Sequence, residues 1–245
     1  MIESIFNDRE GGDFPMLNQE GDIRGTLEKR ESLLSHVDHT LLKAVADWPS
    51  IKKLCEEAIA YRTASVCILP SYVERVHSTF PNLTICTVVG FPLGYHTTEV
   101  KVFEAKQALA QGASEIDMVV NLCDVKNGDF TKITNEIRAV KQVCSSHILK
   151  VIIETCYLTT EEKYSLCDCV TAGGADYIKT STGFGDGGAM VEDVILMKKS
   201  IGSNVKIKAA GGIRTAEDIN QFLSLGCDRI GSSRAVEALC SDGEV

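Results

Sequence analysis

The stretch from 149 to 180, LKVIIETCYLTTEEKYSLCDCVTAGGADYIKT, contains two strand candidates with a helical stretch between them. Residues 149–154 and 177–180 are short runs rich in apolar, β-branched and aromatic residues, a composition that favours strands. Two consecutive strands of one sheet that are joined by a crossover helix run parallel. The stretch therefore predicts one unit of a parallel α/β fold.

The same unit recurs on both sides of this stretch. Six further strand candidates cover residues 36–38, 65–69, 84–89, 115–120, 206–209 and 229–231. Eight parallel strands with crossover helices in roughly 210 residues close most naturally into a (β/α)8 TIM barrel. The alternative is an open, doubly wound sheet. That fold needs a glycine-rich phosphate loop after its first strand, and residues 36–40, HVDHT, contain no glycine.

Between the strands, apolar residues recur at helical spacing. Two such faces are formed by Ile51, Leu54, Cys55, Ala58 and Ile59, and by Ile133, Ile137, Val140 and Cys144. Asp47 and Pro49 mark the start of the first of these helices. A short helix is also expected over residues 26–35, with Thr26 as its N-cap.

Length and composition fit a single domain. The chain has 245 residues, of which 44% are hydrophobic, enough for the core of one barrel. Residues 1–25 are rich in glycine and acidic residues and are predicted to be a flexible extension. The barrel domain is therefore expected to span residues 26–245.

The formal net charge of -9 argues against a polyanionic partner. Neither a nucleic acid nor an anionic membrane surface is expected to bind. Residues 1–10 do not form the basic and then apolar run of a signal peptide, and no stretch is long and apolar enough to span a bilayer. A cytoplasmic protein is the resulting expectation.

Charged residues fall on the inward side of several predicted strands. Lys179, Lys208, Asp117 and Lys150 alternate with apolar residues that must face the helices, so these four point into the barrel. Barrel interiors are normally filled with branched apolar side chains, and a buried unpaired ammonium is expensive. The four residues therefore indicate a functional site. An ion pair that only fixes the strand register remains a reasonable role for Lys150 with Asp38.

The arrangement of these residues favours amine chemistry. Lys179 and Lys208 lie on neighbouring strands near their C-terminal ends, where barrel enzymes keep their active sites. A nearby cation such as Lys208, together with loss of solvent, favours the neutral amine form of Lys179. Asp117 can move protons beside a carbonyl carbon. We therefore predict a Schiff-base enzyme with Lys179 as its nucleophile.

Glycine and serine residues follow the last three strands, where barrels commonly bind phosphate. The candidate phosphate-binding residues are Gly183, Gly211, Gly212, Gly231, Ser232 and Ser233. Glycine after a strand is also ordinary turn chemistry, which would explain any one of these loops alone. Residues 185–188, GDGG, read equally well as a flexible turn.

The histidines do not form a metal-ligand pattern. His36 and His39 are three residues apart, and strand positions at that spacing face opposite sides. The other histidines are isolated in sequence: His77, His96 and His147. Neither a metal nor another cofactor is expected.

Three motifs, 179–183 KTSTG, 208–215 KAAGGIRT and 115–119 EIDMV, resemble the hallmark strands of deoxyribose-phosphate aldolases. The segments 38–42 DHTLL, 66–68 VCI, 89–94 VGFPLG and 149–155 LKVIIET are similar to further segments of that family, in the same order. The resemblance covers about residues 33–240.

The resemblance implies a class I aldolase that reversibly cleaves 2-deoxy-D-ribose 5-phosphate to glyceraldehyde 3-phosphate and acetaldehyde. It assigns the Schiff base to Lys179, its activation to Lys208, and proton relay through water to Asp117. Asp38 and Lys150 match supporting polar residues of the same site. The implied ligands are the phosphorylated sugar and acetaldehyde.

Two features depart from the family pattern. Residues 1–25 have no clear counterpart, and no tyrosine follows Tyr177, whereas some members carry a C-terminal tyrosine that assists proton transfer. The group that protonates the enamine is therefore open, as is the oligomeric state, including a homo-oligomer. The alternatives are another Schiff-base phosphosugar aldolase, a transaldolase-like enzyme, or a non-catalytic barrel that binds sugar phosphates.

Overall fold

A computed structural model describes residues 27–240 and shows eight parallel strands closed into one barrel. The strands are β1 Val37–Leu41, β2 Ser65–Ile68, β3 Ile85–Val89, β4 Glu115–Val119, β5 Ile148–Ile152, β6 Tyr177–Lys179, β7 Lys206–Ala210 and β8 Arg229–Ser232. The barrel closes between β1 and β8, where Val37 lies opposite Ile230. The predicted TIM barrel is confirmed, and the open sheet is wrong. The predicted extension over residues 1–25 and the Thr26 cap lie outside the described residues.

Helices surround the strands on the outside of the barrel. They are α1 Leu27–Leu34, α2 Trp48–Ala60, α3 Val73–Thr79, α4 Thr98–Ala110, α5 Leu122–Lys126, α6 Phe130–Cys144, α7 Thr160–Gly173, α8 Val191–Ser200, α9 Ala216–Ser224 and α10 Ala235–Cys240. Short 3-10 turns cover Pro70–Tyr72 and Thr155–Tyr157. Within residues 27–240, none of these helices has the length and apolar character needed to cross a membrane.

Several helices begin at side chains that satisfy the exposed amides of the first turn. The Asp47 carboxylate accepts a hydrogen bond from the Ser50 amide at 3.1 Å, and Pro49 lies in the first turn of α2, as its sequence predicts. At α7, Thr159 and Glu162 form a reciprocal capping box. These caps fix the first residues of α2 and α7.

The predicted apolar helix faces are mostly correct. On α6 all four predicted residues are buried, and on α2 the buried residues are Ile51, Leu54, Cys55 and Ala58. Ile59 is wrong as a core residue, because 52% of its surface is exposed. It follows Ala58 directly, and one residue is a rotation of about 100° around a helix, which carries Ile59 past the buried stripe.

The strands separate an apolar outer core from a polar interior. Outward residues such as Ile116, Ile178 and Ile207 pack with the helices in the main hydrophobic core. A second, small apolar cluster consists of Leu42, Cys67, Cys86 and Val88. The charged residues predicted to point inward are buried and contact one another, so the fold brings them together inside the barrel.

Candidate active site

Asp117 is the centre of the buried polar cluster. Its Oδ2 accepts hydrogen bonds from Lys179 Nζ and Lys208 Nζ, both at 2.7 Å. Its Oδ1 accepts from Lys150 Nζ at 2.9 Å and from Cys86 Sγ at 3.1 Å. The structure therefore brings the three predicted inward lysines to the two oxygens of one carboxylate.

Asp38 contacts the lysine that the sequence suggested, Lys150, but it lies closer to Lys208. Its Oδ2 lies 2.5 Å from Lys208 Nζ but 3.5 Å from Lys150 Nζ. Lys150 lies closer to Glu115, at 2.5 Å, than to either aspartate. The Lys150–Asp38 contact is thus the longest of three that Lys150 makes, and Asp38 mainly anchors Lys208.

Sequence reasoning missed Glu115 and Arg229, which complete the cluster. Arg229 Nη1 donates to Asp38 Oδ1 at 2.5 Å and to Glu115 Oε2 at 3.2 Å. Strand alternation could have indicated both residues, because Glu115 is two positions before Asp117 and Arg229 is two positions before Gly231.

The mutual contacts fix the charges of the cluster. Burial alone would raise the pKa of Asp117, but the ammonium groups of Lys150, Lys179 and Lys208 hold it well below its usual range. Burial alone would lower the pKa of Lys208, but Asp117 and Asp38 raise it above its usual range. Asp117 is therefore a carboxylate and Lys208 an ammonium ion at neutral pH.

A cavity of about 400 Å³ opens at the C-terminal ends of the strands, and Lys179 lines it. Lys150 and Lys208 have no exposed surface, whereas 3% of Lys179 is exposed. Of the three inward lysines, Lys179 is therefore the one that a ligand in the cavity can reach.

The wall of the same cavity contains all six candidate phosphate-binding residues: Gly183, Gly211, Gly212, Gly231, Ser232 and Ser233. The Ser232 hydroxyl donates to the Ile213 carbonyl at 2.9 Å, so its proton is already used inside the protein. Ser233 is exposed. Gly211 has φ +86° and packs against Gly188, where a side chain would collide with the Gly211 carbonyl. Glycine at these positions lets the loops after β6 and β7 meet.

The cavity wall is positively charged. Besides Lys179, it contains the cationic residues Lys43, Arg214 and Arg234. Within residues 27–240, the wall contains no aspartate or glutamate. This surface suits an anionic ligand, although the chain as a whole carries a net charge of -9.

A family model described as DeoC/LacD family aldolase matches residues 33–233. The chain belongs to this family of aldolases. The resemblance inferred from the motifs is thereby confirmed.

Individual relatives agree with this assignment. A deoxyribose-phosphate aldolase of Clostridium botulinum is 64% identical to this aldolase over 208 residues, which cover 84% of this chain and 94% of the relative. One of Clostridioides difficile is 52% identical, with 84% and 95% covered. The solved structure of a tetrameric deoxyribose phosphate aldolase from Aeropyrum pernix is similar with a TM-score of 0.81 and 30% identity, covering 86% of this chain and 90% of that one.

Thr182 on the cavity wall is held by Glu154, which the sequence predicted as the last residue of a strand. Glu154 instead follows β5 with a left-handed backbone, φ 52°. Its carboxylate accepts hydrogen bonds from the Thr182 hydroxyl and from the Thr182 amide, the latter at 3.2 Å. Burial raises the pKa of Glu154. The contact ties the end of β5 to the loop after β6, and no local sequence pattern indicates it.

Among residues 27–240, two sets of potential metal ligands lie inside the barrel: one of Asp38, Cys86 and Glu115, which the lysines and Arg229 already pair, and one that includes Asp117. The ligand atoms of Cys67, Cys86 and Asp117 lie within 4.8 Å of one another. Both Asp117 oxygens already accept from lysine ammonium groups, and a divalent cation would have to displace them. His36 and His39 do not share a site, since His36 contacts the Asp228 carbonyl and His39 contacts Glu57.

A larger cavity of about 610 Å³ lies beside the cavity that Lys179 lines, between α2 and α10. Ser233 and Arg234 line both cavities, but Lys179 does not line the larger one. The chemistry of the inward lysines therefore belongs to the smaller cavity.

Proposed function

We propose that this aldolase reversibly cleaves 2-deoxy-D-ribose 5-phosphate to glyceraldehyde 3-phosphate and acetaldehyde through a Schiff base on Lys179. The observation that carries the proposal is the position of Lys179, which lines a cationic cavity while its Nζ lies 2.7 Å from Asp117. The relative at 64% identity is named for the same activity, which supports the choice of substrate.

The reaction starts with attack of the neutral Lys179 amine on the aldehyde carbon of the open-chain sugar. The resulting carbinolamine loses water and becomes an iminium ion. Lys208 remains an ammonium ion at the shared Asp117 oxygen, so a second positive charge on Lys179 is disfavoured in the resting enzyme. Lys208 thereby favours the reactive amine.

Cleavage breaks the bond between C2 and C3 of the sugar. The C3 hydroxyl loses its proton and becomes the aldehyde of glyceraldehyde 3-phosphate, while the bonding electrons move into the iminium and form an enamine. With its pKa held well below the usual range, resting Asp117 is a weak base. As the iminium becomes a neutral enamine, Asp117 loses one cationic neighbour and becomes more basic, so it can accept the proton through water.

The enamine is then protonated at C2, and water hydrolyses the imine to release acetaldehyde and Lys179. In this scheme the proton returns from water held at Asp117. No tyrosine in residues 178–245 is available for this step.

The phosphate end of the sugar is assigned to the loops that line the same cavity after β6, β7 and β8. There the backbone of the loops after β6, β7 and β8 supplies amide donors. The proposed contacts come from Gly183, Gly211, Gly212, Gly231, Ser232 and Ser233. Lys43, Arg214 and Arg234 on the same wall provide compensating positive charge. Binding of this remote group holds the aldehyde carbon near Lys179.

A product assay tests the proposal. The protein is incubated with 2-deoxy-D-ribose 5-phosphate, and acetaldehyde and glyceraldehyde 3-phosphate are measured separately. Equal amounts of the two products are expected. A transaldolase-like enzyme would release a different donor fragment, and a barrel that only binds sugar phosphates would release neither product.

We also infer a cytoplasmic role in deoxyribonucleotide catabolism and carbohydrate degradation, because this reaction breaks down the sugar phosphate that deoxynucleotides contain. A homo-oligomer is proposed as well, since the relative from Aeropyrum pernix is tetrameric. Gel filtration with light scattering tests the oligomeric state.

A further inference from the structure

Arg229 connects two carboxylates deep in the barrel. It is the first residue of β8 and lies beside Lys208 in the strand register. Its Nη1 donates to Asp38 at 2.5 Å and to Glu115 at 3.2 Å, and its Nη2 donates to Glu115 at 3.3 Å. Arg229 does not line the cavity that Lys179 lines. Its influence on a substrate must therefore pass through these carboxylates.

The connected cluster contains three carboxylates and four basic side chains. The carboxylates belong to Asp38, Glu115 and Asp117, and the basic side chains to Lys150, Lys179, Lys208 and Arg229. If every group carried its usual charge, the cluster would hold one positive charge in excess. Because an uncompensated buried charge is expensive, loss of one proton from a basic group is favoured.

Lys179 is the lysine of the cluster with the fewest compensating contacts. It contacts one carboxylate, whereas Lys208 contacts two and Lys150 contacts three. Burial alone would lower the pKa of Lys150, Lys208 and Arg229, but neighbouring carboxylates raise all three above their usual ranges. With Lys179 as a neutral amine, three cations face three carboxylates.

We propose that Arg229 is a positioning residue for Schiff-base formation, because its guanidinium supplies the third fixed cation and so leaves Lys179 as the neutral amine. This inference rests on the proposed role of Lys179 as nucleophile. Arginine suits the position because its guanidinium keeps its proton in proteins. Without it, two fixed cations would face three carboxylates, and a proton on Lys179 would restore the balance.

Other titratable groups also surround Lys179. Cys67 on β2 and Glu154 after β5 interact with it electrostatically, and Cys86 on β3 lies beside Cys67. Burial raises the pKa of Cys86 well above its usual range. The Glu154 carboxylate contacts Thr182 and is outside the connected cluster. A hydrogen bond with Cys86 lowers the pKa of Cys67, so a variant at Cys67 is needed as a control for thiolate charge.

The test is the pH dependence of adduct formation at Lys179. Wild type, Arg229→Gln, Glu115→Gln and the double variant are incubated with acetaldehyde and cyanoborohydride over a pH series, and the adduct is quantified by peptide mass spectrometry. Arg229→Gln is expected to raise the pH at which adduct formation is half-maximal, the midpoint, by about one pH unit or more. At a pH below both midpoints, each unit of this shift leaves about tenfold less neutral amine. Glu115→Gln is expected to move the midpoint downward, and the double variant to return it toward wild type.

Two further variants complete the design. Arg229→Lys keeps the cation and is expected to hold the midpoint near that of wild type. Cys67→Ser is expected to leave the midpoint in place. A downward shift with Cys67→Ser would show a fourth anion and overturn the balance of three carboxylates against three cations.

The proposal is overturned if a folded Arg229→Gln variant loses trapping equally at every pH, as a merely structural role would predict. If that variant does not fold, the Glu115→Gln variant is the test. A downward shift of its midpoint supports the proposal, and an unmoved midpoint overturns it. A wild-type protein without any adduct at Lys179 would refute the proposed function. Wild-type trapping with unmoved midpoints in the variants would refute only the role of Arg229.

Discussion

The Nζ atoms of Lys179 and Lys208 meet at one oxygen of the same buried carboxylate. Only the first of these lysines lines the cavity, among the residues that the structure describes. The two amines therefore differ in access to a ligand, and the proposed function gives Lys208 the role of a fixed charge and Lys179 that of the nucleophile.

Replacing Lys208 tests the first of these roles. Lys208→Met removes a cation from Asp38 and Asp117, so Lys179 should hold its proton more tightly. Because the carboxylates raise the pKa of Lys208, wild-type Lys208 keeps its charge through the neutral range. Trapping by Lys208→Met should fall about tenfold or more near neutral pH and recover as the pH rises. Lys206→Met, which removes an exposed ammonium from the same strand, is the matched control. It should leave the pH dependence of trapping unchanged.

Asp117→Asn separates imine formation from carbon–carbon cleavage. The variant removes the proton acceptor but leaves the Lys179 amine, so some imine should still form. Single-turnover cleavage should slow by about 10²- to 10⁴-fold, the range typical of general acid–base catalysis. Rapid-quench measurement of glyceraldehyde 3-phosphate, beside the trapping rate, checks this. Equal loss of both steps would argue against proton relay by Asp117.

Chelators should leave activity unchanged. The enamine stores the electrons of the broken bond without a metal, and both Asp117 oxygens are already engaged by lysines. The measurement is the initial rate with and without EDTA. A rate that falls with EDTA and returns with added zinc would contradict the Schiff-base assignment.

Ser233→Glu tests the phosphate wall. Ser233 is exposed and lines the cavity together with Gly211 and Gly212, so a carboxylate there should repel the substrate phosphate. The kcat/KM for 2-deoxy-D-ribose 5-phosphate should fall on the order of 10²-fold, while activity on unphosphorylated deoxyribose changes little. Ser203→Glu, which adds the same charge in the exposed turn before β7, is the control. An unchanged preference for the phosphorylated sugar in Ser233→Glu would place the phosphate elsewhere.

Much of the fold and part of the site could be predicted because strand side chains alternate strictly between two faces. That rule placed Lys179, Lys208, Lys150 and Asp117 inside the barrel. It did not show which carboxylate each lysine contacts, because such contacts depend on strand register.

Other features depended on tertiary structure in the same way. Glu154 contacts Thr182 across two loops, and nothing in either segment indicates this pairing. Ile59 fits the spacing of a buried helix face, yet it lies beyond the edge of the face of α2 that is buried. Local pattern thus predicted which face a residue occupies better than which partner it meets.

Identification of the trapped residue tests the central claim most directly. The protein is treated with acetaldehyde and borohydride, digested, and searched by mass spectrometry for an ethylated lysine, with Lys179→Ala as the matched variant. We predict one modified peptide, carrying the ethyl group on Lys179, and no adduct and no turnover in Lys179→Ala. An ethyl group on Lys208 or Lys150 in the wild type, or turnover that survives in Lys179→Ala, would contradict the assignment of the nucleophile.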